Sequence, residues 1–478
     1  MSQNRAKLFI ENFLLYGGIN ALNKVVPLLM LPIITRLLTD TAEYGRFDMF
    51  ITIISFGSSF AILGMYDALY REYFEKESKE YKEQVTSTAL TIVLIASVIV
   101  FFILLIFNKQ FSQFFLGDTK SSPIVIMAAI GIFITANQSI FAAPTRMHNK
   151  RKIYLISGLS YSVIYYVLAI GLIFWGYGYK GLLYGNILAT FFLLVFFIII
   201  NKKYFDIRKY NSAVAKNLFK IGLPLLPTFL AYWVYRSMDK IMITNLLDLG
   251  QVGIYSIGAR VASVSQFIYT AFAGGWQYFA FSTMKDKDQV ELTSKVFEYL
   301  GIISFLAFLI ATLFDDIIFE ILFSGPYEKG VSVFPYLFLS PLLLMLFQTA
   351  GNQFLVIKKS YIITISLILG VAVNLLLNYI LIQQYGIKGS ALATLVGYAV
   401  SLLIVVIIDI KLKLLKVSLK FIVMSILLTL TIINLFLFDT RSTNIYVLLS
   451  ICLISSIYIK DVKLLMNVLK KPKKVMDK

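Results

Sequence analysis

Apolar residues run through this chain in blocks of twenty or so, separated by short polar stretches. A helix needs about 20 predominantly apolar residues to cross the hydrocarbon core of a bilayer. By that measure the pattern predicts fourteen spans. They lie at roughly 13–35, 47–69, 85–107, 122–144, 153–175, 180–200, 219–247, 252–280, 296–320, 331–356, 361–383, 387–408, 418–438 and 443–459. The longest polar stretches, around 201–218, 281–295 and the C-terminal tail, are short and Lys-rich. The expected fold is therefore an all-α polytopic membrane protein without a soluble domain.

Composition agrees. The 478 residues are 59% hydrophobic and 15% charged, with mean hydropathy +0.80, whereas soluble domains are about 45–50% apolar and about 25% charged. A net charge of +18 invites a nucleic-acid reading, but the placement of Lys and Arg argues against it. They crowd one alternating set of loops, such as Arg71 to Lys82, Arg146 to Lys152, Lys202 to Lys220 and the tail from Lys460. The other set holds few, among them Arg36, Arg46, Lys109 and Lys180. This is the positive-inside signature. It predicts cytoplasmic termini and contact with anionic lipids, and no nucleic acid. The single cysteine, Cys452, lies in an apolar run, so neither a disulfide framework nor a metal cluster is expected. The first apolar run is too long for a signal peptide and no A-x-A site follows it, so the first helix is expected to be retained.

The chain repeats itself. Tyr177-Gly178-Tyr179-Lys180-Gly181 returns 208 residues later as Tyr385-Gly386-Ile387-Lys388-Gly389, and Lys150-Arg151 returns as Lys358-Lys359. Gly45-Arg46-Phe47 matches Gly253-Ile254-Tyr255 at the same offset, and Thr35-Arg36-Leu37-Leu38 resembles Thr244-Asn245-Leu246-Leu247 at 209. Six spans per copy make the repeats parallel, with a substrate path expected between the halves. The expected division is an N-lobe at 1–210, a C-lobe at 211–410, and two extra helices with a basic tail at 411–478.

Four charges fall inside neighbouring spans: Arg236, Asp239 and Lys240 in the seventh and Arg260 in the eighth. Such charges are costly in a bilayer and usually face protein or a watery cavity. Arg236, Asp239 and Lys240 stand at i, i+3 and i+4, which places them on one helix face. One reading is a cationic cavity for phosphate or pyrophosphate, which Arg binds in bidentate fashion. The other is a structural pair, Asp239 with Lys240 or Arg260, or snorkelling to headgroups. Lys24, mid-span in the first helix, is expected to line the same cavity. Arg36 and Arg46 flank the first outer loop, either guarding its mouth or touching headgroups. Asp67 and Arg71, at i, i+4, read as a helix-end ion pair, with a proton-relay role for Asp67 as the other possibility. Pro27, Pro32, Pro224 and Pro227 lie in the first and seventh spans. They permit kinks, as bending gate helices or as static packing. His148 reads as a solvated loop residue. No ATP-binding or metal-binding motif is present. No cofactor is expected, beyond coupling to a proton or Na⁺.

Two stretches carry a family resemblance. Leu31-Pro32-Ile33-Ile34-Thr35-Arg36-Leu37-Leu38 followed by Glu43-Tyr44-Gly45-Arg46-Phe47 resembles the opening signature of bacterial polysaccharide flippases of the Wzx type. Gly222-Leu223-Pro224-Leu225-Leu226-Pro227, then Asp239-Lys240 and Val252-Gly253-Ile254-Tyr255-Ser256, resembles the start of that family's second half. The superfamily also holds lipid II flippases and multidrug antiporters. The resemblance implies two six-helix lobes that alternate between inward-open and outward-open states. It implies a cargo of oligosaccharide on undecaprenyl pyrophosphate, moved to the outer leaflet for O-antigen or capsule synthesis. A polysaccharide polymerase and a chain-length regulator are implied as partners. The alternatives are a cation-coupled multidrug antiporter, disfavoured because intramembrane cations outnumber acids, and a membrane polymerase or glycosyltransferase, disfavoured by the short outer loops.

Overall fold

The structure of the chain, a computed structural model, describes the backbone of residues 25–270, 288–438 and 440–469, and the side chains of the same residues except 440–443 and 460–469. The described residues are almost entirely helical, the described part of each of the fourteen expected spans lies on helix, and among these residues nine helices, or ten if a bent pair counts as one span, are long and apolar enough to cross a membrane. Helix α1 (Val25–Leu37) is the described part of the first span. The second is a bent pair, α2 (Thr41–Ile62) and α3 (Met65–Tyr73), turned by 44°. Then come α4 (Lys79–Ile106), the short α5 (Asn108–Leu116), α6 (Ser122–Met147), α7 (Arg151–Leu172) and α8 (Tyr179–Asn201). The seventh span is α9 (Ser212–Gly222) and α10 (Leu226–Leu246), and the eighth opens with α11 (Leu249–Ala262). The rest are α12 (Gln289–Leu313), α13 (Asp315–Leu322), α14 (Phe334–Val356), α15 (Tyr361–Lys411), α16 (Leu419–Leu437) and α17 (Thr440–Leu469).

Helix ends follow local chemistry. Asp40, Ser78, Asn211 and Ser418 each accept a backbone N–H at the start of a helix, which satisfies donors the helix itself cannot. The predicted ninth span, 296–320, needs correction: α12 stops at Leu313, and Asp315-Asp316 open the separate α13. Carboxylates suit the positive N-terminal end of a helix.

The 208-residue repeat is written in the backbone. Gly178 (φ 53°, ψ −138°) before α8 and Gly386 (φ 59°, ψ −141°) within α15 share one conformation that only glycine adopts readily. The break at Gly386 divides the 51-residue α15 into the eleventh and twelfth spans. Asn149 (φ 51°) and Lys358 (φ 59°), at an offset of 209, are likewise both left-handed at the turn after the fourth and tenth spans.

Two compact units emerge. The first takes in Met1–Val261, Leu322–Val333 and Gly370–Gly397. Its core is α2, α4, α6, α7 and α8, with Phe50, Ile53, Val93 and Ile132 buried. The second takes in Ala262–Ile321, Phe334–Leu369 and Tyr398–Lys478. Within it, Phe421 of α16 packs on Phe297 and Phe305 of α12. The Glu298 carboxylate of α12 accepts from the Ser418 hydroxyl at 2.6 Å and the Tyr458 hydroxyl at 2.7 Å.

Candidate functional site

The site begins with two glycines. A Cβ on Gly45 of α2 would stand 1.9 Å from the Leu249 carbonyl oxygen, and one on Gly253 of α11 would stand 2.0 Å from that of Thr41. Only glycine lets the two helices touch backbone to backbone. One turn further along each, Asp48 and Ser256 meet, and the Ser256 hydroxyl donates to Asp48 Oδ2 at 2.9 Å.

Asp48 is the hub. Its side chain is 4% exposed, with Lys240 Nζ of α10 at 2.7 Å from Oδ2 and Arg260 Nη2 of α11 at 3.2 Å from Oδ1. Arg260 also lies over the rings of Tyr44 (5.4 Å) and Phe47 (5.9 Å), which face it with their electron-rich sides. Two cations share this one acid directly, and the buried Asp239 stands near enough to Lys240 and Asp48 to interact with both. An unpaired buried carboxylate or ammonium costs several kcal/mol, so each partner here is held in place by the others. Lys240 and Arg260 nonetheless keep part of their side chains accessible, 19% and 33%.

The predicted site is thus gathered only in part. Lys240 and Arg260 come together on Asp48, an acid that neither of the two readings above includes. Asp239 is buried and takes a hydrogen bond from the Tyr255 hydroxyl. Tyr255 lies within reach of Ser390 and Thr394, which bond in turn to Asn378 (2.5 Å) and Asn374 (3.2 Å). Adjacent residues on a helix point about 100° apart, so Asp239 and Lys240 serve different neighbours. Arg236 is exposed and has no partner among the described residues. Lys24 lies outside the described residues.

Asp67 and Arg71 are also not a pair: Arg71 turns to Glu75, 3.9 Å away. Asp67 instead lines a cavity of about 460 Å³ with Ser55, Ser59, Gln138, Arg146 and Tyr154. Arg36 is exposed, and Arg46 lies 5.5 Å over the Tyr179 ring. Pro27 and Pro32 sit in an uninterrupted α1, and Pro27 lines a second cavity. Pro224 stands in the tight turn Leu223–Leu225 that separates α9 from α10, and Pro227 in the first turn of α10. His148 is not merely solvated: its ring stacks on Tyr204 and its Nε2 lies 3.0 Å from the Tyr73 hydroxyl.

Sequence reasoning missed two residues. Asp48 stands at the expected edge of the second span, where a charge passes for an end residue. Arg146 was assigned to a loop, but α6 continues through Pro144 to Met147. Its guanidinium donates to the hydroxyls of Tyr66 (2.9 Å) and Tyr154 (2.7 Å) and lies 4.6 Å over the Tyr154 ring. No three metal-ligating side chains cluster among the described residues.

A second cavity, of about 430 Å³, opens beside Arg260, between α2, α6, α7 and α8. It shares Gln138, Ala142 and Tyr154 with the first. A cationic cluster beside polar, aromatic cavities can hold an anion with a neutral polar group attached.

A family described as "Polysaccharide biosynthesis protein" matches residues 33–331. An uncharacterized membrane protein of Methanocaldococcus jannaschii is 27% identical over 223 residues, 44% of each chain. A probable low-salt glycan biosynthesis flippase of Haloferax volcanii is 24% identical over 199 residues, 41% of this chain and 42% of that one. The matched stretches thus span less than half of these relatives. Among solved structures, the lipid II flippase MurJ in an inward closed conformation has a TM-score of 0.68 at 17% identity, over 94% of this chain and 99% of the other. An inward-facing multidrug resistance MATE transporter has a TM-score of 0.64 at 16% identity, over 81% and 94%. At these identities the likeness is one of fold.

Proposed function

The chain belongs to the polysaccharide biosynthesis protein family, and on that premise we propose that it is a flippase for lipid-linked glycans. Its cargo is an oligosaccharide on undecaprenyl pyrophosphate. It moves the cargo from the cytoplasmic to the outer leaflet of the inner membrane by alternating access, for O-antigen or capsule synthesis. The observation that carries this reading is the Asp48–Lys240–Arg260 cluster, in which two partly accessible cations share one buried acid. A polyprenyl tail can remain in lipid, but a pyrophosphate cannot cross hydrocarbon uncompensated. Arg260 offers it a planar, bidentate donor set. The likeness to a glycan biosynthesis flippase supports the same reading. The Lys and Arg bias of the loops supports cytoplasmic termini, with the polymerase acting next on the flipped cargo.

The buried Asp48 and the likeness to a multidrug transporter favour a second reading, a cation-coupled drug antiporter. Asp48 already faces two cations, however, and an organic cation would have to displace them.

The test is a strain lacking this gene but able to begin polysaccharide synthesis. Single undecaprenyl-pyrophosphate oligosaccharide units should accumulate with their sugar facing the cytoplasm. Single units already on the outer leaflet would point to a polymerase, and an unchanged lipid pool with raised drug sensitivity to the antiporter. Arg260→Ala and Lys24→Ala should abolish surface polysaccharide while protein stays in the membrane; normal polysaccharide in both would end the cationic-cavity idea.

A further inference from the structure

The cavity beside Arg260 has walls that the pyrophosphate reading does not use. Tyr161 and Tyr165 stand one turn apart on α7, with ring centroids 6.0 Å apart and planes within 10°. Tyr165 continues to Phe47 of α2 at 6.4 Å and 17°, and Arg260 lies over Phe47. Three near-parallel rings thus form a ledge that leads away from the guanidinium. Side-chain amides complete the wall. Asn186 of α8 donates to the Tyr161 hydroxyl at 2.8 Å, and its amide oxygen makes no hydrogen bond among the described residues. Gln138 of α6, which lines both cavities, makes none with its side chain among the described residues. An amide carries two donors and a two-lone-pair acceptor, so both residues hold unused hydrogen-bonding capacity toward the cavity.

That combination selects among ligands. A polyprenyl tail gains nothing from free amides. An organic cation would want a carboxylate, and none lines this cavity among the described residues. A pyranose suits it: its flat C–H face packs on aromatic rings and its edge hydroxyls meet the amides, since tyrosine joins an apolar face to a polar tip. The volume of about 430 Å³ falls in the range of small-ligand pockets, about 300–1,000 Å³.

We propose that the Tyr161–Tyr165–Phe47 ledge, with Asn186 and Gln138, is a sugar subsite that receives the pyranose attached to a pyrophosphate held at Arg260. This rests on the flippase reading above and adds to it a place where the glycan itself is read.

The experiment uses the full-length protein in lipid nanodiscs and two probes, undecaprenyl pyrophosphate and the same lipid carrying one N-acetylglucosamine. The wild type should bind the sugar-bearing lipid about tenfold more tightly, or better, than the bare one. Tyr161→Ala and Gln138→Leu should bring that ratio down to about 1. Tyr161→Phe, which keeps the ring and its packing, should retain most of it. Arg260→Ala should weaken both lipids alike and leave the ratio in place. A bare lipid that binds in an Arg260-dependent way, with no gain from the sugar, overturns the subsite alone. So does a gain that survives in both Tyr161→Ala and Gln138→Leu. Saturable binding of neither lipid overturns the flippase reading and the subsite with it.

Discussion

The two copies of the repeat meet in α2 and α11, and they differ there in an instructive way. Their backbones solve one problem identically: Gly45 and Gly253, 208 residues apart, each receive a carbonyl of the other helix. Their side chains then diverge. Where the first copy has Asp48 the second has Ser256, and the two hydrogen-bond to each other. Where the second copy has Arg260 the first has Thr52, whose hydroxyl only caps the Asp48 carbonyl at 2.9 Å. Phe47 faces Arg260, while its counterpart Tyr255 holds Asp239. Symmetry supplies the close crossing, and the departures from symmetry supply the charge. Asp48 and Ser256 are equivalent positions that face each other, so identical copies would set two carboxylates or two hydroxyls there, and the single acid at that contact requires that the copies differ.

The comparison can be broken most severely at the glycines. Gly45→Ala and Gly253→Ala each put a methyl group inside a backbone carbonyl, so the helices must part. Overpacking usually costs about 1–3 kcal/mol, and contact with backbone puts these at or above the top of that range. Thermal unfolding of the purified protein should show the two losses to be equal. A tolerated Gly253→Ala would mean that the crossing is not tight.

The charge asymmetry comes next. Asp48→Asn leaves Lys240 and Arg260 facing each other without their acid. Removing one member of a hydrogen-bonded charge pair costs about 2–5 kcal/mol, and the partial exposure of Arg260 places this one near the lower end. Ser256→Ala removes one hydrogen bond, about 1 kcal/mol. The exchange Asp48→Ser with Ser256→Asp should recover part of the loss, because the two positions face each other. Unfolding midpoints and surface polysaccharide levels measure both; no recovery would mean that the acid works from one copy only.

The shared glycine conformation gives a finer test. Strained backbone of this class costs about 1–3 kcal/mol per residue, so Gly178→Ala and Gly386→Ala should both destabilise. Gly178→Ala should be the worse, since its Cβ would also stand 2.5 Å from Glu43 Oε1, whereas nothing lies within 4 Å at Gly386. Equal losses would remove Glu43 from the account.

The smallest effect concerns the turn after the fourth span. His148, next to left-handed Asn149, has its pKa lowered, first by burial and then by Lys150, Lys203 and Lys82. The matching turn of the second copy, before Lys358, has Ile357 in its place. A histidine with a depressed folded pKa binds its proton more readily when unfolded. Its contribution is therefore present above the unfolded pKa and falls away as the pH drops below it. Stability should decline as pH is lowered below about 6.5, and His148→Gln should flatten that decline. An unchanged slope in the variant would assign the pH dependence elsewhere.

Much of this molecule is decided by sequence order alone. Long apolar blocks must become helices, because backbone polar groups in hydrocarbon can be satisfied only within the segment. The helical blocks follow from that rule, the 208-residue repeat from matching motifs, and the expected alternation from where Lys and Arg are placed. Lys240 and Arg260 were legible for the same reason, as charges a bilayer refuses unless something receives them. What receives them was not legible. Asp48 lies 192 and 212 positions away in the chain from these two cations, in a stretch where an acid looks like a span end, and only the Gly45–Gly253 contact brings it to them. Arg146 was hidden by a helix that outlasts its proline, and Asp239 by a neighbour on another helix. The tyrosine ledge draws on α2 and α7, whose rings align only once those helices pack. One-dimensional pattern fixes which residues enter the membrane, because solvation acts on each segment separately. Which of them meet depends on helix rotation and close approach, and these are settled by contacts that no single segment contains.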